Sequence, residues 1–184
     1  MGAGSYSDCI EHDHFVQFFP DDELLTAGVS RYVHQTLAQG ATCVVVATAE
    51  HRRAIHFNLL VAGLNVDSLI GRYQYISLDA FRTLSRFMLN GHLDRERFHQ
   101  VIGLLVHQAA SRGHPVRIFG EMVALLAARG QMSAALQLEE QWNELSRAHA
   151  FTLFCAYLES DIRYDLITRR RISLIHNYER FPDN

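Results

Sequence analysis

The run Ala41 to Thr48, ATCVVVAT, limits the fold of this chain more than any other stretch. Its β-branched and apolar side chains follow one another without the polar alternation that a strand with one wet face would show. Such a run is stable only with both faces covered, which predicts the central strand of a parallel sheet with helices on either side. Its neighbours agree. His14 to Phe19 (HFVQFF) reads as a first strand stopped by Pro20, Tyr73 to Leu78 (YQYISL) as a third, Val116 to Phe119 as a fourth, and Phe151 to Tyr157 (FTLFCAY) as the last.

Helical patterns fill the intervals. Asp21 or Asp22 can cap a helix whose Leu25, Val29, Val33 and Leu37 recur every fourth residue up to Gly40. Glu50 to Ala62 reads as a second helix with Ile55, Leu59 and Ala62 on one face, closed by Gly63. Ser77 or Asp79 can cap a third, carrying Phe81, Leu84 and Met88 before the Asn90-Gly91 break. From an Asp94 cap, Phe98, Val101, Ile102, Leu105, Val106 and Ala109 fit a 3.6-residue period. Beyond the fourth strand, Met122 to Ala128 form a short apolar helix broken at Gly130. Ala135, Leu138, Trp142 and Leu145 then stripe a longer one whose other faces carry Gln137, Glu139, Glu140 and Glu144. Asp161 to about Tyr178 is helical but irregular. Together these elements predict an α/β three-layer sandwich with a mostly parallel central sheet and right-handed crossovers. Residues 1–12 read as a flexible N-terminus and 13–184 as a single α/β domain. No separate DNA-binding module fits beside that domain, so output must pass to another chain or through this surface.

Composition narrows the chemistry. All 17 basic residues are arginine, which excludes a Schiff-base lysine and the phosphate-gripping lysine of a P-loop. A net charge of −3 gives no general attraction to nucleic acid or to an anionic membrane. Cys9, Cys43 and Cys155 lack CxxC spacing, so neither a disulfide framework nor a zinc knuckle is indicated, and a cytoplasmic location is expected. No leader-like stretch and no apolar run of about 20 residues is present, so no membrane span is expected. There is no GxSxG, and none of the 11 histidines forms a HExxH pair. His51 and His56, five apart, do not share a helical face well, and His12-Asp13-His14 has a solvated turn as an equal reading, so no metal is expected, while the cofactor stays unknown at this level. Arg169 to Arg171 read as a solvated helical face pairing with Asp161, Asp165 or a partner chain.

In a parallel α/β sheet, ligands bind beyond the carboxyl ends of the strands. That rule selects Phe18 and Phe19 after the first strand, Thr48, His51 and Arg52 after the second, Asp79 after the third, Glu121 and Met122 after the fourth, and Tyr157 at the last. The set is aromatic and apolar around few charges, which suits a small organic ligand better than a polyphosphate. Glu121 has a structural reading as well, because a carboxylate in the first turn of a helix is favoured by the helix dipole. Trp142, on its apolar stripe, reads as core. Ala49 to Arg53 occupy the place where a P-loop ATPase would carry GxxxxGK[ST], and nothing of that motif stands there.

The segments HFVQFFPDDELL, GATCVVVATAEHRRAI, FGEMVALLAARGQMSAALQLEEQWNEL and FTLFCAY, taken jointly, resemble the MEDS domain, the methanogen and methylotroph sensory domain named for a dichloromethane-responsive repressor. The resemblance runs from about His14 to His176 and is strongest at Gly120-Glu121-Met122, Leu138 to Asn143 and Cys155-Ala156-Tyr157. It implies a RecA-like fold with a degenerate P-loop, related to circadian-clock-type ATPases. It further implies a non-catalytic sensor of hydrocarbon derivatives, found with histidine kinases, regulators or other output proteins. Here the partner would be a separate chain or a second copy in a homodimer. Two departures stand out: Leu158 follows Cys-Ala-Tyr where the family usually has proline, and the tail HNYERFPDN matches only loosely. Two other functions remain open at this level: a RecA-type nucleotide-binding protein or ATPase with Glu121 orienting water, and an interaction scaffold with a vestigial pocket.

Overall fold

The computed structural model describes residues 13–162 and 166–180. In chain order the first half contains β1 (His14–Phe19), α1 (Asp22–Ala38), β2 (Thr42–Ala47), α2 (Ala49–Val61), α3 (Val66–Gly71), β3 (Tyr75–Asp79), α4 (Ala80–Leu84), β4 (Met88–Leu89) and β5 (His92–Leu93). There follow α5 (Arg95–Phe98), a π-type turn (His99–Gly103), α6 (Leu104–Ala110), β6 (Val116–Gly120), α7 (Met122–Ala128), α8 (Met132–Ala148), β7 (Thr152–Leu158), a 3₁₀ turn (Glu159–Ile162), α9 (Leu166–Ile175) and β8 (Tyr178–Arg180). The expectations for residues 1–12, with Cys9 and His12, for Asp165 and for the last residues of the tail fall outside the described residues.

The expected sandwich is present. The main sheet is six-stranded in the order β3-β2-β6-β7-β1-β8, and every neighbouring pair runs parallel. All six residues of β2 are buried, as its unbroken apolar run requires. Alternation along the strands divides the core in two. Phe15, Phe19, Cys43, Val45, Tyr75, Phe119 and Phe154 face α1, α2 and α3, while Val16, Phe18, Val44, Val46, Ile118, Leu153, Cys155 and Tyr157 face α4 to α9.

Local signals explain most boundaries. The Asp21 carboxylate accepts the Leu24 N–H at 2.8 Å and starts α1, and Leu25, Val29, Val33 and Leu37 lie on its buried face. Gly130, at φ +73°, ends α7, with the Gln131 N–H returning to the Leu126 carbonyl at 2.9 Å.

Elsewhere the structure departs from the sequence reading. β6 runs one residue past the expected Phe119, with Gly120 its last residue, paired with Val46. The helix expected to carry Met88 stops at Leu84, because Asn90 and Gly91, both at positive φ, form a tight turn that makes β4 and β5 an antiparallel hairpin. The short α3 and the edge strand β8 were not expected. α3 starts from an Asn65 side chain capping Ser68, and β8 is held by pairing with β1 rather than by a strand pattern of its own. The expected helix from Asp94 passes through one π-type turn between α5 and α6.

Candidate functional site

Three of the selected residues meet at the carboxyl end of the sheet. Thr48 caps α2, accepting the His51 N–H at 3.3 Å. Glu121, 5 % exposed, follows β6 and turns its carboxylate back onto the start of α2. Its Oε2 accepts the Thr48 N–H at 2.8 Å, and its Oε1 lies 2.7 Å from His51 Nδ1. The other ring nitrogen of His51 is 3.4 Å from Asp22 in the first turn of α1. Two helix starts and the β6–α7 turn are thus tied through one imidazole. Glu121 occupies the place that an anion takes at a helix N-terminus. At the same end, desolvation first, and then the charges of Asp22 and Glu121, raise the pKa of Asp161.

The hydrogen bond that His51 donates to Glu121 raises its pKa above the ordinary 6.5; burial opposes the shift, and the charges of Glu121 and Asp22 reinforce it. A histidine with a raised folded-state pKa contributes stability fully below its unfolded value, and that contribution is lost as pH rises through the folded value. Glu121→Gln is therefore expected to cost about 1–3 kcal/mol near pH 6 and clearly less near pH 9. Urea unfolding of wild type and variant at both pH values checks this, and equal losses at both would disprove the coupling.

Arg52 reaches from α2 to β3, donating from Nε to Ser77 Oγ at 2.9 Å, with its Nη1 3.8 Å from Asp79. Asp79 also caps α4 through the Arg82 N–H at 2.9 Å. Between α2, α3 and β3 lies an open groove of about 840 Å³, lined among others by Arg52, Arg53, His56, Tyr73, Tyr75 and Ser77. The Tyr75 hydroxyl is buried.

The remaining selected residues are placed differently. Phe18, Phe19, Met122 and Tyr157 are at most 2 % exposed and offer a ligand almost no surface in this conformation. Phe18 stacks on Tyr157 with ring centroids 5.8 Å apart, and the Arg169 guanidinium lies 4.3 Å above the Phe18 ring. Arg169 also pairs with Glu159 at 3.7 Å, so this member of the arginine run is partly folded onto the domain.

A second polar constellation lies wholly inside the layer between the sheet and α8. His14 of β1, Glu139 of α8, Cys155 of β7 and His176, just past α9, bring their ligand atoms within 4.8 Å of one another, and all four are buried. His14 Nε2 is 3.1 Å from Glu139 Oε2 and 3.4 Å from Cys155 Sγ. Cys155 Sγ is 3.4 Å from Glu139 Oε2, and His176 Nε2 is 3.4 Å from Glu139 Oε1. The Tyr157 hydroxyl donates to Glu139 Oε1 at 2.7 Å. Burial alone would raise the Glu139 pKa, but the charges of His176 and His14 and the close approach of both rings outweigh it and hold the carboxyl below the usual range. Burial, followed by the charge of Glu139 and a hydrogen bond to it, pushes the Cys155 thiol well up.

This constellation escaped the sequence reading, although His14 does begin β1 as expected. His14 is 2 % exposed rather than part of a solvated turn, and Glu139 is fully buried rather than on a polar helix face. Signals for both exist. His14 alternates in phase with Val16 and Phe18, and Glu139 stands four residues after Ala135 and three before Trp142, on the buried stripe.

The family model of MEDS, described as "MEthanogen/methylotroph, DcmR Sensory domain", matches residues 13–172. No curated protein matches the chain.

Proposed function

The chain belongs to the MEDS family of sensory domains, and from that membership we propose that it is a non-catalytic sensor of a small organic ligand. The ligand would enter the groove between α2, α3 and β3. The observation that carries this placement is the groove itself, which offers two arginines and Ser77 beside apolar walls. A hydrocarbon derivative bearing a hydrogen-bond acceptor or an anionic group suits that lining. Arg52 also reaches Ser77 and approaches Asp79, so a ligand drawing on its guanidinium would shift α2 against β3 and alter a surface read by an output partner.

Binding of a nucleotide triphosphate is disfavoured by two features at the carboxyl end. Glu121 takes up the Thr48 N–H at the start of α2, and Asp22, Glu121 and Asp161 make the neighbourhood acidic. A calorimetric titration separates the two functions. A panel of short haloalkanes, alcohols and carboxylates is expected to include a class that binds wild type and binds Arg52→Ala at least about tenfold more weakly. Failure of the whole panel, unchanged affinity in a folded Arg52→Ala, or micromolar binding of ATP with magnesium would each overturn the proposal.

A further inference from the structure

We propose that His14, Glu139, Cys155 and His176 form a closed, four-coordinate site for one divalent metal ion of the zinc class. The donor set of two imidazole nitrogens, one thiolate and one carboxylate oxygen is of the type that borderline-soft ions select. Their spacing is close to what such an ion needs. Bonds of about 2.0–2.3 Å in a tetrahedron put neighbouring donor atoms about 3.3–3.7 Å apart. Glu139 Oε2 is 3.1 Å from His14 Nε2 and 3.4 Å from Cys155 Sγ, which are 3.4 Å from each other, and Glu139 Oε1 is 3.4 Å from His176 Nε2; taking one atom from each residue, all four lie within 4.8 Å of one another, so the widest pair would close in on the ion.

Both histidines are turned the right way. The Asn143 amide donates to the Ile175 carbonyl at 2.8 Å, so its Oδ1, 2.8 Å from His14 Nδ1, acts as an acceptor. His14 therefore carries its proton on Nδ1 and presents Nε2 to the cluster. His176 Nδ1 lies 2.7 Å from the Ile172 carbonyl, which fixes its proton there too and aims Nε2 at the same centre. That Nε2 is buried and makes no hydrogen bond of adequate geometry, although Glu139 is within ion-pair distance. A buried donor atom so placed needs a partner, and a cation at the centre supplies one. Tyr157 and Asn143 then serve as the outer groups that orient a ligand carboxylate and a ligand imidazole.

Charge balance favours the same conclusion. A divalent ion with one thiolate, one carboxylate and two neutral imidazoles sums to zero, the only inexpensive total for a site without solvent. Without the ion, neutrality needs the thiol protonated and one imidazolium facing Glu139. Metal entry therefore releases two protons to solvent, one from Cys155 and one from a histidine, as the four bonds to the ion form. Because the four ligands come from β1, α8, β7 and the segment after α9, the ion would clasp that segment onto the sheet.

Cobalt(II) is the probe. The full chain, stripped with a chelator and titrated with Co²⁺, is expected to take up one equivalent. It should develop a thiolate-to-cobalt absorption in the near ultraviolet and visible bands of tetrahedral intensity, and Zn²⁺ should displace the cobalt one for one. Cys155→Ser should lose the thiolate band, while Cys43→Ser, on the opposite sheet face, should keep it. Asn143→Ala, which keeps every ligand, should weaken cobalt binding about 10–100-fold. If Cys155→Ser does not fold, the wild-type stoichiometry and thiolate band decide alone. No uptake, uptake without the thiolate band, or a band that persists in Cys155→Ser would overturn the site.

Discussion

Glu139→Ala is expected to lower the stability of the metal-stripped protein by about 3–5 kcal/mol, the range found when one partner of a buried ionic group is removed. The reason lies in what remains. His14 Nε2 and His176 Nε2 would be left without the carboxylate they face, and the buried Tyr157 hydroxyl would lose its acceptor. Glu139→Gln keeps the volume and one acceptor oxygen but no charge, so its loss should be smaller than that of alanine. Urea unfolding followed by circular dichroism measures both. A loss below about 1 kcal/mol for alanine would show that the buried carboxylate is dispensable.

Trp142→Ala is expected to cost a similar amount, about 3–5 kcal/mol, through a cavity rather than a charge. Trp142 is 1 % exposed on α8 and meets Phe98 edge-on at 5.4 Å and Phe151 at 6.0 Å. It therefore joins α8 to the start of the α5–α6 helical stretch and to the entry of β7, and a Cβ on Gly120 would come within 4.0 Å of its ring. Truncation leaves a void that these aromatic neighbours, fixed on separate elements, cannot close together. Trp142→Phe should retain the contact with Phe98 and lose about half as much. Circular dichroism is the readout, because the chain's single tryptophan is removed. A midpoint in urea unchanged by the alanine variant would remove Trp142 from the core.

Both effects arise on the same helix, and they differ in how visible they were. Trp142 was legible because its burial follows from a repeating apolar stripe. Glu139 lies on that stripe too, yet a charged residue invites assignment to solvent unless its partners are known. Those partners come from β1, β7 and the segment past α9, and Cys155 pairs with His14 across 141 positions of chain. Spacing rules for metal or catalytic motifs work within a helix or a loop. They have no purchase on side chains that only the strand order β7-β1 brings side by side.

The carboxyl-end residues show the intermediate case. The rule that strand ends converge selected Thr48, His51 and Glu121 correctly as neighbours, since each stands within a few residues of an end of β2 or β6, and those strands pair directly. It also selected Phe18, Phe19, Met122 and Tyr157, which are near strand ends in sequence and buried in space. A strand end is a position along the axis, whereas burial depends on which helix lies over it. The groove lined by Tyr73 and His56 depends likewise on α3, a helix too short to announce itself by periodicity.

The sequence alone determined the class of the fold, because the β-branched run of β2 can be satisfied only between two helical layers, and the spacing of apolar residues fixed the main helices that supply them. It also excluded lysine chemistry outright. Only the tertiary structure decided the order of the strands, the hairpin and the edge strand, and the meeting of His14, Glu139, Cys155 and His176. The physical reason is one of range. Patterning reports on whether a residue faces a core, while the identity of what it meets there is set by contacts between distant segments, which leave no periodic trace in the chain.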